Sequence, residues 1–178
     1  MISLRVIKNV LLIPFLLLPF FEGSSTSAQI INIDIEIEPE IKTVILNQLE
    51  FPDLIANTGE VTIDLGDPRM GIFSITALNS QNLYLEVNYP LYLVSTDTKV
   101  NDTIPLEINS YFSKDGLDNY LSSRLIINNK GSFAISQNSP GPTADWETVY
   151  ILITGSINIG QISDGTYKGI IELLVEYD

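Results

Sequence analysis

The chain has 178 residues, with 9 Lys or Arg against 22 Asp or Glu, a net charge of −13, and neither histidine nor cysteine. That balance repels phosphate backbones and anionic lipid, which argues against nucleic-acid binding. The missing residue types exclude Ser-His-Asp and Cys-His catalysis, histidine zinc sites, thiolate metal sites and any disulfide, so the fold must rest on its core alone.

Residues 1–28 carry Arg5 and Lys8, then the apolar run VLLIPFLLLPFF at 10–21, then the small and polar EGSSTSA, the order of a secretory signal peptide. Pro14 and Pro19 interrupt a run too short to span a bilayer comfortably. Cleavage after Ala28 would leave residues 29–178 as one exported domain in the periplasm, on the cell surface or outside the cell, without membrane insertion. Without Arg5, Lys8 and Glu22, seven basic and twenty-one acidic residues remain, a surface that keeps an exported protein soluble.

Residues 31–38 read INIDIEIE, a strict alternation with the period of a β-strand. Ile31, Ile33, Ile35 and Ile37 form one face, which must be buried, because four exposed isoleucines in a row invite aggregation. Asn32, Asp34, Glu36 and Glu38 form the other. Neighbours on that face lie about 7 Å apart, too far for a compact calcium cage without another segment, so the acids meet water and guard an edge. This segment is expected to be the first strand of the protein's own sandwich, with donation to a neighbouring subunit as the alternative.

Further β-favouring runs span 42–51, 60–66, 71–78, 83–89, 103–112, 124–128, 132–136, 147–159 and 167–177, between turn sequences such as GDPRMG, NSQN, NNKG and GQISDGT. DGLDNYLSS at 115–123, with Leu117 and Leu121 four apart, suits at most one or two helical turns, and the prolines of NSPGPTADW at 138–146 make that stretch a loop. VYILITGSINI is apolar through residue 153 and then alternates, as a central strand covered on both sides would, while Glu172 and Glu176 fall on one face of the last strand. Some eight to ten short strands with frequent turns indicate an all-β sandwich or barrel.

Three blocks, LNQLEFPDLIANTGEVTIDLG, GIFSITALNSQNLYLEVNYPLYL and ITGSINIGQISDGTYKGIIELLVEYD, resemble the bacterial exported family known as domain of unknown function 4402. The closing block, with Gly165, Tyr167, Gly169 and the penultimate Tyr177, is also similar to the C-terminal pattern of spore-coat-U-like proteins and chaperone-usher pilus subunits. The resemblance implies an immunoglobulin-like, pilin-like antiparallel sandwich. It also implies a surface or pilus-like structural or adhesive subunit whose last strand pairs with a periplasmic chaperone and then with a strand donated by another subunit. The chain departs from the family at Pro52 and Ala77, where the family has glycines, and it lacks the disulfide of many pilus subunits.

The residues that remain point away from an enzyme and from any cofactor or metal. Asp145 and Glu147 flank the only tryptophan, Trp146, which could stack on a sugar ring or simply anchor the start of a strand. A carbohydrate-binding or accessory module, with Tyr84, Tyr89 and Tyr92 joining Trp146 in a stacking platform, is the alternative function.

Overall fold

The computed structural model describes residues 40–117, 119–135 and 146–178, all within one compact unit, residues 37–178. The signal-like leader, the alternating segment 31–38 with its four isoleucines, and residues 136–145, which take in the proline-rich stretch up to Asp145, lie outside the described residues.

Eleven strands form among the described residues. They are β1 Lys42–Asn47, β2 Gly59–Ile63, β3 Gly71–Leu78, β4 Asn82–Asn88, β5 Tyr92–Ser95, β6 Thr103–Ser113, β7 Arg124–Leu125, β8 Lys130–Ala134, β9 Trp146–Ile159, β10 Tyr167–Lys168 and β11 Glu172–Tyr177. Every pairing is antiparallel. A large sheet runs β1-β3-β9-β6-β5-β10, with β2 beside β9 and β7 beside β6, and a small sheet runs β11-β4-β8. The result is an antiparallel β-sandwich.

Strand β9 organises the large sheet because it is long enough to serve several partners. Its first half pairs with β3, from Leu78 opposite Trp146 to Gly71 opposite Ile153, and its second half pairs with β2, from Ile63 opposite Gly155 to Gly59 opposite Ile159. Its other edge pairs with β6. Val149, Ile151, Ile153, Ile157 and Ile159 enter the main core against Leu83, Leu85 and Val87 of the small sheet. Leu152, on the opposite face, joins Ile63 and Met70 in a second cluster. The apolar run is therefore covered on both faces, as its pattern required. At the far end of β6, Phe112 meets Phe133 of β8 with ring centroids 4.7 Å apart, and the Arg124 guanidinium lies 4.5 Å from the Phe133 centroid.

Several segments differ from the expectation. The stretch 167–177 is two strands in different sheets: β10 pairs with β5, β11 pairs with β4, and residues 169–171 cross between them. Tyr92–Ser95 forms a strand in a stretch that the sequence pattern left out, because Pro90 before it and a polar run after it hide four residues. The segments flanking NNKG part company, β7 going to β6 and β8 to β4. There Asn128 and Asn129 take φ of 55° and 60°, the left-handed turn that asparagine tolerates. Among the described residues of the helical candidate at 115–123, the helical part is the 3-10 turn Tyr120–Ser122.

Candidate functional site

β1 pairs only with β3, and β11 only with β4, among the described residues, so each sheet ends in an unpaired edge. The two edges lie on the same side of the sandwich. Leu78 N at the end of β3 donates to Tyr177 Oη at the end of β11, 3.1 Å. Residues 169–171, just before β11, line one cavity with Gly71 and Phe73 at the start of β3. β11 therefore runs in the direction of β3 and antiparallel to β1.

Between the end of β1 and the crossing at residues 169–171 that leads into β11 opens a cavity of about 270 Å³, lined by Ile45, Leu49, Phe73, Ile153, Ile170 and Ile171 among others. Register explains why β1 belongs to it. Thr43 lies opposite Ile75 and Ile45 opposite Phe73, so the core-facing row of β3 continues onto β1. The small sheet is too narrow to cover that row, and Ile45 is left 59% exposed. The edge is nonetheless held in place, since Asn47 Nδ2 donates to Pro68 O at 2.9 Å and to Met70 O at 2.7 Å. An apolar seam beside an unpaired strand edge is a template for one more strand.

The outer face of β11 is acidic, with Glu172, Leu174 and Glu176 turned to solvent while Leu173, Val175 and Tyr177 pack against the core. Elsewhere charge is spread over turns. Arg69 bridges Asp67 at 2.8 Å and, by its hydrogen bonds, holds that carboxyl down at about 2. Hydrogen bonds from the Ser163 side chain and then from Ser163 N, at 2.7 Å, hold the Asp102 carboxyl below its ordinary pKa. Among the described residues no group of three or more His, Cys, Asp or Glu is placed to hold a metal ion.

The residues of the closing block have separate structural duties. Gly165 adopts a φ of +155°, which L side chains rarely take, with little but Ser95 Oγ near its missing Cβ. Gly169 is needed for space instead, since a Cβ there would come within 2.9 Å of Leu93 Cδ2 and 3.0 Å of Pro90 Cγ. Tyr167 donates its hydroxyl to Ser163 O at 2.9 Å, and burial, then Asp102 and Asp164, raise its pKa. Tyr177 anchors the end of β11 to β3, and Asp178 N donates to Asn82 O at 3.0 Å.

The aromatic residues of the expected stacking platform are dispersed. Trp146 opens β9, 53% exposed, on the face it shares with Thr148, whereas Glu147 points to the opposite face and accepts from Asn79 Nδ2 at 3.3 Å. Asp145 lies outside the described residues. Tyr84 sits on the outer face of the small sheet, its hydroxyl 3.3 Å from Glu86 Oε2. Tyr89 and Tyr92 share a concavity.

The sequence pattern missed Ile45, Leu49, Phe73 and Ile170 as a group. The one signal was the doublet Ile170-Ile171, which breaks the alternation where the chain leaves one sheet for the other. Comparison with known proteins finds no family model and no curated protein that matches this chain.

Proposed function

We propose that this chain is an exported, non-enzymatic, immunoglobulin-like structural subunit of a cell-surface or pilus-like assembly, joined to its neighbours by strand pairing. The observation that carries this reading is the apolar seam between the unpaired edge strand β1 and the crossing that leads into the unpaired edge strand β11, lined by Ile45, Phe73, Ile153 and Ile171. The segment best suited to close it is INIDIEIE at 31–38, which directly precedes β1. Its isoleucines recur every second residue, the spacing that lets each drop into the seam while the backbone pairs with a strand edge. Each isoleucine side chain so buried contributes about 1.5–3 kcal/mol. The signal-like leader and the closing block with Gly165 and Tyr177 support the same reading, and a periplasmic chaperone would pair with the same edge of β11 before assembly.

The test is the oligomeric state of residues 29–178 beside a variant lacking residues 29–39. Wild type forms ladders in electrophoresis without boiling or a concentration-dependent series in sedimentation, and the deletion leaves a folded monomer. A stable wild-type monomer whose fold collapses on that deletion rules out donation and makes residues 31–38 the first strand of the chain's own sandwich.

A further inference from the structure

Two of the crossings between the sheets run side by side, residues 89–91 leading from β4 to β5 and residues 169–171 from β10 to β11. Where they meet, Pro90 packs on Gly169, and a groove of about 530 Å³ opens beside them, within the range of about 300–1,000 Å³ usual for small-ligand sites. Its apolar lining is Tyr89, Pro90, Tyr92, Val94 and Ile170. Tyr92 is 50% exposed and Ile170 is 75% exposed, a large apolar surface for water to cover. Its polar groups are Asn88, Lys168 and Glu172.

We propose that this groove binds a neutral, pyranose-containing glycan. A sugar ring presents a face of C–H groups and a girdle of hydroxyls, and the groove presents the complement of both. The lining is held firm: Asn129 Nδ2 donates to Tyr89 Oη at 3.0 Å, so that ring keeps its position, and Pro90 is wedged against Gly169. Strand pairing fixes the backbone that carries the polar groups, with Glu172 opposite Asn88 and Lys168 opposite Val94. One amide, one carboxylate and one ammonium supply hydrogen-bond donors and acceptors with no net charge. Glu172 opposes an anionic ligand and Lys168 a cationic one, while a lipid chain would bury all three polar groups without partners. The chain's charge of −13 adds to the bias against acidic sugars. The groove shares Gly169 and Ile170 with the seam, while its two tyrosines and Lys168 lie outside it.

The test is a glycan array on residues 29–178, followed by calorimetry with the best neutral oligosaccharide. Binding is expected, with Tyr92→Ala weakening it by about tenfold or more and Lys168→Ala weakening it less. Tyr84→Ala, which alters a tyrosine outside the groove, should leave it unchanged. Because Tyr92 is half exposed, the variant keeps its fold, which far-ultraviolet circular dichroism checks. The proposal is overturned by a folded wild type that binds no glycan, by a preference for sialylated or uronic-acid glycans, or by affinity that survives both Tyr92→Ala and Lys168→Ala.

Discussion

Ile153 and Ile45 line the same cavity with the same side chain, yet Ile153 is fully buried and Ile45 is largely exposed. The difference comes from their neighbours. Ile153 lies on β9, which has strands along both edges, whereas Ile45 lies on β1, which has β3 along one edge only among the described residues. Hydropathy alone does not set burial here; the number of paired edges and the width of the opposing sheet do.

Three measurements would break or sharpen that contrast. The largest effect is expected at the sealed position, where Ile153→Ala costs about 2–5 kcal/mol in chemical denaturation, while Ile45→Ala changes the stability of the monomer by less than about 1 kcal/mol. A loss at Ile45 as large as that at Ile153 would mean that the chain closes the seam with its own strand. Next comes Gly169→Ala, which forces a Cβ against Pro90 and Leu93 and should cost about 1–3 kcal/mol by overpacking; a neutral result would mean the two crossings can slide apart. The smallest effect is electrostatic. A strand seated against β11 with its isoleucines inward carries Asp34, Glu36 and Glu38 outward, beside Glu172 and Glu176. Like charges on adjacent strands oppose pairing by a few tenths to about 1 kcal/mol each, so self-association should strengthen with ionic strength and in the Glu172→Gln, Glu176→Gln double variant. Sedimentation that is indifferent to salt would show that the strand lies elsewhere.

Much of the fold was legible because local pattern and tertiary environment agree. Gly71–Leu78 is a strand at the residues expected, and the run from 147 to 159 reads as central because Leu152 and Ile153 need cover on opposite faces. Sheet membership was not legible. Nothing local at 167–177 says that two residues belong with β5 and six with β4; that follows from Gly169 fitting under Pro90, a contact between residues far apart in sequence. The seam was hidden for a related reason, since KTVILN reads as an ordinary strand and only the narrowness of the opposite sheet leaves Ile45 uncovered. The closing glycines were visible as a motif, but their separate reasons, backbone conformation at Gly165 and space at Gly169, needed coordinates.

The placement of β9 also sets a timetable. Its partners β2, β3 and β6 all precede it, with Gly59 waiting for Ile159 and Gly71 for Ile153. The small sheet waits longer still, because β4 gains its β11 partner only at residues 172–177. Closing such long loops is entropically slow, and domains of this topology fold in roughly milliseconds to seconds. A chain emerging N-terminus first therefore cannot complete either sheet until its last thirty or so residues are free. Until then its strand edges stay open to premature pairing.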